Sequence, residues 1–360
     1  MTTMRERMLA VVQGTASDRV PFVQYRNCGG PDREIWEVIG RENMGILIWS
    51  RLHRLTHPNC EQEDEDFGKD GLRGRRTTIR TPVGSLTQEM LFDPVLNSGA
   101  KHSHYVKTIA DYQVLLYYLR DTAVHENYEA YTKIVAELGE DGLPHTAVER
   151  TPYQQLWTQW VSIEDLALHL LDAPELMEEV ISAMADVLRR IFVVACDAVR
   201  DPEVPVPYVN FGDNITAPMI GLDRFEKYCA PLYLELADML AATGQDIPVF
   251  VHMDGDLKPL WAAIGRSGVR GLDSFSPPPD NDTSAAQAAR MWPEMRLGLN
   301  FPSSVHLADA QTVYKTACGI LEEAGHTGRL QIQISENPPP GAWRTSYPQI
   351  VKAINDFGTP

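Results

Sequence analysis

The feature that most constrains this chain is the alternation of short apolar runs with long amphipathic stretches. The runs with β character are VPFVQY (20–25), AVERT (147–151), VPYVNF (206–211), IPVFVHM (247–253), GLDSF (271–275), MRLGLN (295–300) and RLQIQI (329–334). Between them lie helical patterns. One is expected to begin near Asp172 as its N-cap, with Pro174 and Glu175 in the first turn. Met177, Val180, Met184, Val187, Ile191 and Val194 then share a face, at steps of three or four residues. A second pattern carries Phe225, Cys229, Leu232, Leu236 and Leu240 on one stripe, which makes Cys229 a core residue. Runs and helices in this order predict parallel βα units. Most runs end in a polar residue beside Gly, Pro, Asn or Asp, and in a barrel those ends form the catalytic rim.

A chain of 360 residues can form such a barrel as one unit, so a single domain over 1–360 is expected. The segment 76–91, RTTIRTPVGSLTQEML, interrupts the βα pattern. Its two alternating runs flank Thr-Pro-Val-Gly and read as a β-hairpin projecting from the body. Residues 56–73 are polar and contain glycine, and read as a mobile loop.

Composition excludes several classes. Forty-nine acidic against 32 basic residues give a formal net charge of −17, so no basic footprint for nucleic acid or an anionic membrane is visible. The five cysteines are odd in number and form no CxxC pair, which argues against a disulfide framework or a Cys-only zinc knuckle. The apolar part of the N-terminus is too short for a signal peptide, and IFVVACDAV is broken by Asp197 well short of a membrane span. A cytoplasmic location is expected.

Four strand ends carry polar groups fit for chemistry. His252-Met253-Asp254-Gly255 follows PVFV; residues i and i+2 of a strand face the same side, so His252 and Asp254 project together. Such a pair is half of a metal site, an acid/base pair, or a structural histidine at a strand end. Glu336 follows RLQIQIS and precedes three prolines; the competing reading is an exposed loop carboxylate. Asp213 and Asn214 follow VPYVNFG, where a turn or a helix cap is the alternative. Asn300 ends MRLGLN and can instead bond backbone. Trp157 and Trp160 stand at helical spacing in YQQLWTQW, fit for core or for pocket lining, and His102 and His104 lie in a polar stretch that reads as solvated loop. No GxSxG, GxxxxGK[ST], HExxH or GxGxxG occurs.

These residues, taken with several other segments, resemble the uroporphyrinogen decarboxylase superfamily, which includes cobalamin-dependent methyltransferases. Asp18-Arg19-Val20-Pro21-Phe22 is similar to the family's opening DRVP segment, and RTPVGSL to the TPxG turn of the methyltransferase branch. TPYQQLW followed by LLDAPELMEEVI, then HMDG, GLDSFSPPP and NFPSS, fall in the family's order. The resemblance implies an α/β fold: a single (β/α)8 TIM barrel, here with an N-terminal helical extension and an inserted β-hairpin.

The decarboxylases carry P-x-x-x-x-R-Q-A-G-R, whose arginines meet substrate carboxylates. Here Arg26 and Gly29 match, but Gly30 stands at the second arginine, and ILIWSR puts Arg51 where the catalytic aspartate is expected. The methyltransferase branch holds zinc through His-x-Cys and a later Cys. His252 matches the histidine, and Asp254 and Glu336 stand at the two thiolate positions. The ligand charge is unchanged and the donors are harder, suiting a metal that polarises oxygen.

The resemblance thus implies a methyltransferase or demethylase of O- or N-methyl substrates. Zinc or a similar divalent ion would lie on His252, Asp254 and Glu336. Asp213 and Asn300 would orient substrate or move a proton, and Arg26, Asn214 and Trp157 would contact a small-molecule substrate. Cobalamin would come on a separate corrinoid protein; homodimerisation is compatible with this scheme. The alternatives are a decarboxylase-like lyase using Arg26 and a non-catalytic binding barrel.

Overall fold

The computed structural model describes residues 2–94 and 98–359. The chain divides into two compact units: Met1–Leu52, Asn127–Val148 and Ala195–Pro360 form one, His53–Glu126 and Glu149–Val194 the other. The strands in chain order are Phe22–Tyr25 (β1), Gly45–Arg51 (β2), His53–Thr56 (β3), Glu61–Lys69 (β4), Leu72–Thr81 (β5), Gly84–Asp93 (β6), Ser98–Ser103 (β7), Ala123–Glu126 (β8), Gly142–Val148 (β9), Val209–Phe211 (β10), Val249–His252 (β11), Gly271–Phe275 (β12), Arg296–Asn300 (β13) and Leu330–Ile334 (β14).

The first unit contains the barrel. Eight parallel strands close in the order β1-β14-β13-β12-β11-β10-β9-β2, as the βα alternation implied. Two of them are not where the apolar runs placed them. β2 was not among those runs, and β9 begins five residues before AVERT, because Pro144 and His145 interrupt its apolar pattern. Gly142 is required by the closure of β9 against β2: a Cβ there would lie 1.9 Å from the Ile46 carbonyl oxygen.

The N-terminal helix Met4–Gln13 plugs the barrel from the side where the strands begin. Thr3 caps it in a reciprocal capping box with Glu6. Met4, Met8 and Val12, spaced four apart on one face, join Val23, Leu47, Leu143, Tyr208 and Phe250 in a buried cluster. Gly45 makes room for this plug, since a Cβ would meet Met8 Sδ at 2.7 Å. The DRVP segment fixes the plug in place. Asp18 receives both Nε and Nη2 of the buried Arg7, at 2.7 and 2.8 Å, while Arg19 donates to Asn43 and Asn355. The Arg7 hydrogen bond holds the Asp18 carboxyl below its usual range.

The second unit contains a four-stranded antiparallel sheet in the order β4-β5-β6-β7 and a small β3–β8 pair. The expected 76–91 hairpin is the β5–β6 pair at its centre. Residues 61–69, read from sequence as part of a mobile loop, form edge strand β4. Its solvent-facing residues are acidic and pair with arginines of β5: Glu63 with Arg80, Glu65 with Arg76. A polar edge strand looks like a loop to a hydrophobicity pattern and resists pairing with other chains. Asp172 ends one helix, and the next runs from Pro174 to Arg200 with Met177, Val180, Met184, Val187 and Ile191 buried as expected. Among the described residues, no helix is long and apolar enough to cross a membrane.

His306 offers a direct test of packing in the first unit. It is 2% exposed, its Nδ1 lies 2.8 Å from Ser346 Oγ, and its ring packs edge-on to Phe301. Burial lowers its pKa to about 4, against about 6.5 in an unfolded chain. Between these values the unfolded chain binds the extra proton, so stability is present in full above pH 6.5 and is lost as pH falls through the window. The loss attributable to His306 should approach about 3 kcal/mol at pH 4. Urea unfolding of wild type and His306→Gln from pH 7 to pH 4 measures it; equal pH slopes for the two proteins would refute this assignment.

Candidate active site at the C-terminal mouth of the barrel

The barrel interior has two layers set by the two-residue period of its strands. Val23, Leu47, Leu143, Tyr208 and Phe250 form the apolar lower layer. Two residues further along each strand stand Tyr25, Trp49, His145, Asn210 and His252, and Asp273, Asn300 and Gln333 complete the upper layer from β12, β13 and β14. The upper layer is polar because it sits where the strands end and the loops begin.

Asp273 is its centre, only 3% exposed. Its Oδ2 accepts from Tyr25 OH at 2.6 Å and lies 2.9 Å from His252 Nδ1 and 3.2 Å from His145 Nε2. Its Oδ1 accepts from Gln333 Nε2 at 3.0 Å. The register of β12 against β13 shifts between Leu272 and Phe275, and Ser274 takes a left-handed φ of 58°. The irregularity lets two consecutive residues meet the same partner, since Gln333 Nε2 also donates to Ser274 Oγ at 3.1 Å.

His145 is fixed on its other side by Tyr208 OH, 2.7 Å from Nδ1. Asn210 Nδ2 faces His145 Nε2 at 3.0 Å while the buried Asn210 Oδ1 lacks a partner. Turning the amide over resolves both: Nε2–H then donates to Asp273 and to Asn210 Oδ1, and Tyr208 donates to Nδ1.

His252 bridges the buried carboxylate and the open mouth. Its Nδ1 faces Asp273, and its Nε2 lies 3.5 Å from Asp254 Oδ2, whose side chain is 28% exposed. Burial alone would lower the imidazole pKa, but its hydrogen bonds to Asp254 and Asp273 prevail and raise it to about 10. Burial likewise pushes the Asp273 carboxyl up, yet His145 and His252 hold it well below the usual range. The result is an imidazolium between two carboxylates, the outer of which, Asp254, is partly exposed. Trp49, 44% exposed, has its ring edge-on to His145 at 4.3 Å and 5.5 Å from Tyr25.

The residues singled out from sequence fall in several places. His252 and Asp254 are together, as strand geometry requires. Glu336 is bonded to Ser303 Oγ and raises the Cys28 thiol pKa, which burial and this charge push up to about 12. Among the described residues, no three His, Cys, Asp or Glu side chains are grouped as metal ligands. Asn300 ties two strand ends: its Oδ1 accepts from Ser335 N and Oγ at 3.0 and 3.1 Å. Asp213 is fully buried and accepts from Tyr233 OH, and Asn214 beside it takes a left-handed φ of 54°.

Arg26 follows the inward Tyr25, so alternation turns it the other way. It pairs with Glu137 at 2.6 Å and reaches Asp32 at 3.9 Å. Trp157 belongs to the second unit, in the π-helical turn Leu156–Trp160, and donates to Gln154 Oε1 at 2.8 Å.

A closed parallel barrel with a buried carboxylate–imidazole cluster at its C-terminal mouth belongs to the class of (β/α)8 barrels with a site at the strand ends. The uroporphyrinogen decarboxylase (URO-D) family model matches residues 80–331, and the chain belongs to that family. In fold it is similar to a methyltransferase from Methanosarcina mazei, with 14% identity, 99% of each chain covered and a TM-score of 0.57. No curated protein matches the chain.

The geometry ranks the members of the cluster. Asp273→Asn breaks a buried ion pair and leaves three donors facing an amide, so it should cost about 3–5 kcal/mol. Tyr25→Phe removes one of several donors and should cost about 1–2 kcal/mol. Denaturant unfolding of both variants checks the order; Tyr25→Phe costing more than Asp273→Asn would contradict this hierarchy.

Proposed function

We propose that the chain is a methyltransferase or demethylase acting on an O- or N-methyl group of a small molecule, with the methyl passing to a cobalamin carried by a separate corrinoid protein. The observation that carries the reading is His252, held at Nδ1 by the buried Asp273 and presenting Nε2 to the mouth beside Asp254. The fold shared with a methyltransferase supports it.

A divalent ion such as zinc would find two suitable donors in His252 Nε2 and Asp254, with Asp273 orienting the histidine from behind. Such an ion would polarise a heteroatom of the substrate. Glu336, the third expected ligand, is bonded to Ser303 instead, so the set of three does not fit as it stands.

The protein's own groups suffice for the proton. As the carbon–heteroatom bond breaks, its electron pair stays on the oxygen or nitrogen, and the methyl leaves to the nucleophilic acceptor. The departing heteroatom takes a proton from His252 Nε2–H. Asp273 and Asp254 stabilise the imidazolium before transfer, and Tyr25 and Gln333 hold Asp273 in place. Trp49 offers an exposed aromatic wall for the substrate.

Two observations weigh against a decarboxylase reading. Arg26 is already paired with carboxylates. At Gly30, where the decarboxylases carry arginine, a Cβ would lie 2.5 Å from Trp343 Nε1. Uroporphyrinogen turnover should therefore be negligible, and a rate on the order of 1 s⁻¹ or more would favour the lyase.

Methyl transfer is tested by mixing the protein with reduced cobalamin and panels of methyl ethers and methylamines, reading methylcobalamin by absorbance. His252→Ala should lower the rate at least about 100-fold, the usual weight of a proton donor. Elemental analysis of wild type beside His252→Ala decides whether an ion participates. No transfer from any methyl donor, with folded protein, would turn the assignment toward a binding barrel.

A further inference from the structure

Among the described residues of the second unit, two cations lack an ion-pair partner. Arg150 directly follows Glu149, where the second unit's later segment begins. Its guanidinium is half-buried, and its Nε is shut off from solvent with no hydrogen-bond partner. The backbone around it is fixed: Gln155 Nε2 donates to the Arg150 carbonyl at 2.7 Å. The π-helical segment Leu156–Trp160 that follows receives Lys101 of β7, a half-buried residue whose ammonium donates to the Thr158 carbonyl at 2.6 Å. Burial and the Arg150 charge together lower the Lys101 pKa, and no carboxylate offsets them. Among the described residues, neither group has an ion-pair partner.

A buried or half-buried charge without a partner is costly, and a second of the same sign near enough to act on it adds to that cost. Lys101 lies on a strand and Arg150 in a loop, so neither is bound to this place by helix register. An acidic chain with 49 carboxylates could have supplied a partner as readily as it does for Arg26 or Arg76. A guanidinium presents Nε and Nη as a planar fork that matches two oxygens of one group.

We propose that Arg150 and Lys101 form an oxyanion-binding site in the second unit, which takes the carboxylate or phosphate of a small molecule on the Arg150 fork with Lys101 as the second cation. The site is separate from the His252 cluster in its residues, and the inference stands whether or not the barrel transfers methyl groups. Aromatic side chains lie in the same stretch of chain. Trp157 is held to Gln154, and Trp160 packs against Tyr105 at 5.2 Å. A ligand with a flat apolar body behind its oxyanion therefore suits the surroundings better than a bare ion.

Titration calorimetry on the whole protein tests this with three probes: inorganic phosphate, benzoate and the uncharged benzamide. Wild type should bind one oxyanion per chain, and benzamide should not bind. Tighter binding of benzoate identifies an organic carboxylate as the ligand; tighter binding of phosphate identifies a phosphate. Arg150→Gln should weaken the preferred probe at least tenfold, Lys101→Gln three- to tenfold, and Arg150→Lys should restore part of the loss.

A thermal-unfolding readout separates a ligand site from a structural role. Without ligand, Arg150→Gln should leave the melting temperature unchanged or raise it, since it removes an unpaired charge. With wild type and saturating probe the melting temperature should rise, and in Arg150→Gln it should not. Absence of binding by either oxyanion at millimolar concentration, or equal binding by wild type and Arg150→Gln, overturns the proposal. So does a lower melting temperature of ligand-free Arg150→Gln.

Discussion

The site depends on one buried carboxylate. Asp273 sits under the mouth of the barrel and is met by groups from four other strands: Tyr25 of β1, His145 of β9, His252 of β11 and Gln333 of β14. An ionised carboxylate at this depth would be expelled from the fold if it were alone. Here both oxygens accept hydrogen bonds, and two of the donors are imidazoles. The charge that makes Asp273 expensive also fixes the orientation of His252, and through it the direction in which Nε2 points. Positioning and stabilisation are therefore one interaction.

The lower half of the barrel makes this arrangement affordable. The helix Met4–Gln13 delivers Met4, Met8 and Val12 to the end where the strands begin, and the Arg7–Asp18 pair fixes its angle. With that end sealed by apolar side chains, the polar residues of the upper layer face only one another and the loops. Water enters from one side, and groups such as Tyr25 and Tyr208 are kept protonated by burial and by Asp273.

Much of the fold was legible because burial repeats with a period. Six of the eight barrel strands coincide with apolar runs, and GLDSF matches β12 residue for residue. β9 escaped because its apolar run is broken by Pro144 and His145, and His145 is there to bind Asp273. β4 escaped because an edge strand need not bury either face. Of the candidate site, the nearness of His252 and Asp254 was legible, because polar groups two apart end an apolar run. Asp273 went unread although a charged residue inside a five-residue buried run is itself a signal, since only a set of partners can keep it there. Those partners come from sequence positions as distant as 25 and 333, and no local pattern joins them. Arg26 shows the opposite limit: its neighbour Tyr25 points inward, so alternation alone turns Arg26 away from the cluster.

If Asp254 and Glu336 stand where the methyltransferase branch carries thiolates, as the resemblance implies, the exchange changes what His252 can do. Between Asp273 and Asp254 the imidazole edge carries a cation in comfort, and the compensating charge is the same whether that cation is a proton or a metal ion. The two compete for Nε2, because a metal ligand must surrender its proton. Thiolates would favour the softer ion, and carboxylates, as hard acceptors of hydrogen bonds, shift the balance toward the proton. Glu336 bears on the same balance. Hydrogen-bonded to Ser303, it leaves His252 with the carboxylates that suit an imidazolium; drawn to the mouth, it would add the third charge that favours a divalent ion.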